Sequence, residues 1–132
     1  MQDNSVHTSE AVTEGIRVLV TSQFTHADPQ QERWHFSYTV RISNESPETV
    51  QLVSRHWIIT NGSNDVEEVK GPGVVGHKPT LAPGQSFEYT SRCLLATPFG
   101  SMRGTYQMVR SGGDEFDAEI AEFALTEPYT VH

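Results

Sequence analysis

The chain has a single cysteine, Cys93, among 132 residues. No intramolecular disulfide can form, which suits a reducing cytoplasm. No apolar run is long enough to cross a bilayer, and the first residues carry neither the positive region nor the apolar core of a secretory signal. A cytoplasmic protein with no membrane partner is expected. Positive charge is also scarce, with 9 Lys and Arg against 17 Asp and Glu and a net charge of −8. Such a surface repels phosphate backbones, so nucleic acid is not an expected partner. The scarcity is sharpest after Arg110, where no Lys or Arg follows but Asp114, Glu115, Asp117, Glu119, Glu122 and Glu127 do. That stretch reads either as a solvated face that blunts an edge strand or as a cation-attracting edge.

Catalytic and metal signatures are missing too. There is no G-x-S-x-G elbow, and no acidic pair stands in an apolar setting that would raise one pKa. The six histidines show no H-x-x-x-H or H-E-x-x-H spacing. Neither an enzyme nor a resident metal or cofactor is expected. Cys93 falls on the alternating face of Phe87, Tyr89 and Leu95, which suggests a buried, inert thiol.

What is present is period-2 alternation. Ile16, Val18 and Val20 share one face. In "WHFSYTVRI", Trp34, Phe36, Tyr38, Val40 and Ile42 point one way, while His35, Ser37, Thr39 and Arg41 point the other. "VQLVSRHWIIT" reads as a strand buried on both faces for part of its length. Asn61-Gly62 signals a hairpin turn. "VEEVKG", "SFEYTSRCLL", "SMRGTYQMVR" and "EFDAEIAEFAL" complete the set, the last with room for a bulge. About seven strands recur between Pro, Gly and Asn turns, and no segment sustains a period of 3.6. The class is all-β: an immunoglobulin-like or fibronectin type III-like antiparallel β-sandwich, with a small closed barrel as the other solution. Residues 1–12 are polar and without period and read as a flexible tail. Residues 13–127 form the domain, and 128–132 a C-terminal tail.

In "EVKGPGVVGHKP", Gly71, Gly73 and Gly76 have the G-x-G-x-x-G spacing of a dinucleotide-binding turn. Such a turn needs a helix after it to supply amide donors and a dipole. Here "HKPTLAPGQSF" follows, and Pro79, Pro83 and Gly84 exclude a helix of useful length. Two readings remain. The loop joins strands and its glycines supply positive φ. Alternatively, the amides of Gly71, Gly73, Val74, Val75 and Gly76 form an anion nest, with Lys78, Lys70 and His77 beside it, for a phosphate or pyrophosphate-containing ligand. Arg55 and Trp57, in "RHWII", are also open to two readings. They form part of a binding face, since both types are common interface anchors, or Trp57 enters the core and Arg55 is solvated.

"SRHWIIT", "EVKGPGVVGHKPTLAPGQSFEYTS", "TPFGSMRGTYQMV" and "FDAEIAEFAL", in this order and spacing, resemble the bacterial ApaG family over residues 14–126. The chain departs from the family at Ser91-Arg92-Cys93-Leu94-Leu95, where "SGCPL" is usual. Any role that needs a tight turn or bulge at position 92 is thereby in doubt. The resemblance implies a fibronectin type III-like sandwich, a link to cobalt tolerance and magnesium efflux, and use of the domain as a binding module. It brings no catalytic residues. Positions 71, 73 and 76 match the family's pyrophosphate-like motif. The function expected is a non-enzymatic accessory that binds an unidentified protein partner, homodimerisation being one form. The alternative is anion binding at the glycine loop. Direct cobalt or magnesium binding by the acidic C-terminal strand or by histidines is a third reading.

Overall fold

A computed structural model describes residues 5–128. Its strands are β1 (His7–Thr13), β2 (Ile16–Asp28), β3 (Arg33–Asn44), β4 (Val50–Asn61), β5 (Val66–Pro72), β6 (Thr80–Leu81), β7 (Ser86–Leu95), β8 (Phe99–Arg110) and β9 (Glu115–Thr126). One sheet runs β1-β2-β3-β7 and the other β5-β4-β8-β9, with β6 paired to β4. Every pairing between strands is antiparallel. This is the expected antiparallel sandwich.

The alternating residues make the core. Ile16, Val18, Val20, Phe36, Val40 and Ile42 from one sheet meet Leu52, Trp57, Met102, Tyr106, Ile120 and Leu125 from the other, all buried. The structure adds two elements to the expected strands. β6 is only two residues long. β1 occupies much of the stretch read as a tail, so the boundary at residue 12 is corrected. It pairs with β2 from His7↔Ser22 to Thr13↔Ile16. Its more buried positions are His7, Ser9, Ala11 and Thr13. That inner face is small or polar, so the strand carries no hydrophobic period. Residues 1–4 and 129–132, parts of the two expected tails, lie outside the described residues.

Three bulges interrupt the ladders: one at Thr25 of β2, and two in the other sheet. The one foreseen in the last strand is there: two residues of β9 between Ile120 and Phe123 oppose Arg103 alone. The one in β4 was not foreseen. Leu52 pairs with Met108 and Ser54 with Gln107, so Val53 is an extra residue in β4. Before it, Val50 and Leu52 point inward; after it, Trp57 does. "VQLVSRHWIIT" is therefore not buried on both faces. Its buried positions are Val50, Leu52 and Trp57, and the bulge shifts the inward register by one residue. The same shift puts Arg55 on the inner face.

The two flanks of the sandwich differ. On one, β1 lies against β9. His7 Nε2 is 2.8 Å from Thr126 Oγ1, Ser22 Oγ donates to the Ala124 carbonyl at 2.7 Å, and the Glu119 amide donates to Thr13 Oγ1 at 3.0 Å. The Arg110 guanidinium pairs with Glu14 across the same flank. On the other flank, β5 and β7 are both edge strands. No hydrogen bond or ion pair joins them among the described residues.

Candidate functional site

The open flank contains a cleft of about 430 Å³ that reaches down to the core. Tyr38, Trp57, Cys93 and Met102, all buried, form its floor. Ile59 and Val69 line one side, and Ser91 and Leu94 the other. The walls follow from register. Trp57 pairs with Val69, Arg55 with Gly71 and Ile59 with Glu67, so these residues stand on the inner face of β4 and β5. Trp57 is locked by edge-to-face contacts with Tyr38, Tyr106 and Phe123 at centroid distances of 5.3, 6.2 and 6.0 Å.

Two cations line this cleft, Arg92 on the β7 side and Arg55 on the inner face of β4. Arg55 Nη1 donates to the carbonyls of Pro72 at 2.9 Å and Gly73 at 2.8 Å. No carboxylate lies within 4 Å of it among the described residues. Its guanidinium lies over Gly71, where a Cβ would come within 3.0 Å of Nη2. The first glycine of the motif is thus the seat of an arginine. Burial raises the pKa of Tyr38, Tyr89 and Tyr106, while the charge of Arg55 pulls all three the other way. The Tyr89 and Tyr106 hydroxyls are hydrogen-bonded to each other. Burial, with a smaller contribution from Glu67, pushes the Cys93 thiol up to about 12. It is protonated at neutral pH and serves as packing.

The rest of the glycine motif is a miniature hairpin. The Val74 amide donates to the His77 carbonyl and the His77 amide to the Val74 carbonyl, both at 2.8 Å. Val75 and Gly76 sit between them with φ of 42° and 82°, the two positive values of a type I′ turn. Gly73 has φ 59°, and a Cβ there would stand 2.3 Å from the His77 carbonyl oxygen. Its amide donates to the Val53 carbonyl at 2.9 Å, at the bulge of β4. Of the amides in the anion-nest reading, those of Gly73 and Val74 are thus taken up by backbone carbonyls. Gly73, Val74 and His77 direct their N–H groups into the fold. What the loop turns toward the cleft is two carbonyls, which hold a cation, Arg55.

The hairpin also closes one end of the cleft. Val74 is buried in the core, and the His77 ring packs on Phe87 of β7 at 5.9 Å. Lys70 and Lys78 stand on a different surface. They line a depression of about 570 Å³ with Ser54, His56, Gln107 and Asp117, and Arg55 and Gly71 border it. His56 Nε2 is 2.7 Å from Glu68 Oε1.

The ApaG domain family matches residues 24–110. The chain belongs to the ApaG family. It is 56% identical over 124 residues to the ApaG protein of Anaeromyxobacter sp. strain K, covering 94% of this chain and 99% of that one. It is 51% identical to ApaG of Bordetella pertussis, covering 89% and 91%. A crystal structure of the Bordetella pertussis protein assigned as ApaA superposes with a TM-score of 0.83 at 51% identity, covering 87% of this chain and 95% of that one. At the point where this ApaG chain departs from the family's usual "SGCPL", β7 pairs with β3 without a break, Arg92 opposite Ser37. Neither a turn nor a bulge stands at position 92.

Of the residues named from sequence, the structure brings Arg55, Trp57 and Gly71 together at the cleft. Trp57 is core and floor at once, and Arg55 is half-buried and held by the loop. Tyr38, Ile59, Val69, Ser91 and Leu94 were not singled out as site residues. Leu94 carried a usable signal: it is a leucine on the polar side of an alternating strand, and it is 53% exposed. Among the described residues, no group of three or more His, Cys, Asp or Glu could hold a metal ion.

Proposed function

We propose that this ApaG domain is a non-enzymatic protein-interaction module whose working surface is the open flank. One observation carries the reading: two unpaired edge strands, β5 and β7, border a cleft with an apolar floor. Edge strands offer unpaired main-chain donors and acceptors, and a cleft between them adds side-chain specificity. The closed flank offers neither, because β1 and β9 cover each other. Any part in divalent-cation homeostasis runs through the bound partner.

The test uses two exposed apolar residues on opposite flanks, Leu94 at 53% and Val12 at 49%. Tagged wild type, Leu94→Glu and Val12→Glu are used as baits in the same extract, with mass spectrometry of what they retain. A partner retained by wild type and Val12→Glu but lost by Leu94→Glu is expected. Equal retention by all three overturns the open flank as the binding surface.

A second reading rests on the depression that Lys70 and Lys78 share. We infer that a phosphate or pyrophosphate group would sit there, beside the loop and outside it. Pyrophosphate should then shift the amide resonances of Lys70 and Lys78. Shifts confined to Val75 and Gly76, or none at millimolar ligand, would end this reading.

A further inference from the structure

The cleft on the open flank is closed at one end and open at the other. At the closed end, residues 73–79 leave the edge of β4 between the Ser54↔Pro72 and Gln51↔Thr80 pairs. This excursion buries Val74 and lays His77 on Phe87. Arg55 stands just inside that closure. At the other end, Glu67, Asp65 and Val66 line a smaller space of about 240 Å³ with Leu94, Leu95 and Ala96. A polypeptide lying in the cleft can leave past Glu67. It cannot continue past Arg55, because the hairpin occupies the way.

Charge follows the same axis. The closed end holds a guanidinium with no carboxylate partner among the described residues, and its Nε and Nη2 make no hydrogen bond there. The Ser91 and Tyr38 hydroxyls line the same space. The open end holds the carboxylates of Glu67 and Asp65. Between the ends, the surface is Trp57, Val69, Met102 and Leu94, with the exposed Arg92 on the β7 rim.

Resting on the protein-interaction reading above, we propose that the cleft takes the free C-terminus of a partner polypeptide in extended form. The terminal carboxylate sits on Arg55. The last side chain, aliphatic or aromatic, packs on Trp57 and Val69, and a Lys or Arg upstream faces Glu67. A carboxylate at the chain's end fits because the cleft ends there; an internal Asp or Glu would need the chain to run on through Val74 and His77. Arginine suits the role because its planar fork binds carboxylate through two parallel N–H bonds. The carbonyls of Pro72 and Gly73 already fix it, so little ordering remains for binding. The spacing is also set. Arg55 pairs with Gly71 and Ile59 with Glu67, four residues along β5. At about 3.3 Å per residue, roughly 13 Å separate the two rungs. The basic residue therefore lies upstream of the terminal one, at the Ile59–Glu67 rung.

The probes are pentapeptides titrated into the ¹⁵N-labelled full chain. The first is acetyl-Lys-Thr-Val-Thr-Leu with a free carboxylate. The second is the same peptide with a C-terminal amide. The third is acetyl-Lys-Thr-Val-Thr-Glu amide, which offers only a side-chain carboxylate. The first should shift the Trp57 indole and the Val69 and Ser91 amides saturably, and the other two should bind at least tenfold more weakly. In Arg55→Gln, the first and second should become equal; Arg55→Lys, which keeps the charge, should restore part of the difference. Glu67 is exposed, so Glu67→Lys should fold unchanged and turn the preference toward a peptide that starts with Glu. Equal binding of acid and amide by wild type overturns the proposal, as does the absence of saturable shifts at millimolar peptide. If the Glu amide binds as well as the free acid, the terminus is the wrong source and the proposal falls. The bait experiment with Leu94→Glu separates the two levels. A partner lost there while all peptides fail leaves the interaction reading intact and ends the C-terminus assignment.

Discussion

The closed and open flanks of this sandwich are built from the same kind of strand and end differently. On the closed flank, polar side chains tie β1 to β9, and the inner face of β1 is His7, Ser9, Ala11 and Thr13. On the open flank, β5 and β7 stay apart, and the space between them exposes the edge of the aromatic core. A sandwich with two sealed flanks would hide its core completely. Leaving one unsealed requires a plug at the end that must stay shut, and the glycine loop supplies it. The motif that looked like a nucleotide turn is architecture: a seat for Arg55 at Gly71 and a tight hairpin from Gly73 to His77.

The largest effects should come from the floor of the open flank, because it is also core. Trp57 is 3% exposed and packs on three aromatic rings. Trp57→Ala should cost about 3–5 kcal/mol in urea unfolding. A cost near that of a surface substitution would mean that the cleft is superficial and the two flanks differ little. The plug comes next. Gly73→Ala forces a Cβ at positive φ to within 2.3 Å of a carbonyl oxygen, whereas Gly76→Ala meets open space. Expected losses are about 2–3 kcal/mol at Gly73 and about 1 kcal/mol at Gly76. Equal losses would show that the loop tolerates repacking and does not fix the closed end of the cleft. The seal of the other flank ranks third. Ser22 is fully buried, and its hydroxyl bonds the Ala124 carbonyl. Ser22→Ala should cost about 1 kcal/mol. Leu94→Glu on the open flank should leave stability near wild type, because Leu94 is exposed.

Most of the sandwich was legible because alternation reports burial directly. "WHFSYTVRI" placed Phe36, Tyr38, Val40 and Ile42 in the core, and they are there. β1 was missed because its inner face has no large apolar residue, although Glu14-Gly15 supplies a positive-φ turn pair, with φ of 48° and 82°. The bulge at Val53 could not be read either. An insertion of one residue shows only against a partner strand, and the sequence does not align β4 with β8. That hidden insertion decides the site. Counted with the parity of Val50 and Leu52, Arg55 points to solvent; with the bulge, it points inward. Local spacing could not show where the glycine motif sends its amides, since G-x-G-x-x-G describes positions of flexible backbone and not the groups facing it.

The smallest expected effect tests how little an exposed ion pair contributes beside the buried contacts of the closed flank. Arg17 on β2 pairs with Glu10 of β1 at 3.3 Å and with Glu45 at 2.9 Å, and all three side chains are at least a third exposed. The hydrogen bond and charge of Arg17 hold the Glu45 carboxyl below the usual carboxylate range. A carboxyl depressed in the folded state favours folding above its unfolded pKa, and that contribution is lost as pH falls through the folded value. Water and salt screen so exposed a pair strongly. Glu45→Gln should therefore leave the melting temperature within experimental scatter at neutral pH and 0.15 M salt. At 10 mM salt, a small deficit against wild type should emerge and should vanish as pH falls through the depressed folded-state pKa of Glu45, below which both chains carry a neutral side chain at this position. A deficit that is large at high salt would mean that this exposed pair is not screened, and one that survives acid would mean that Glu45 acts through something other than its charge.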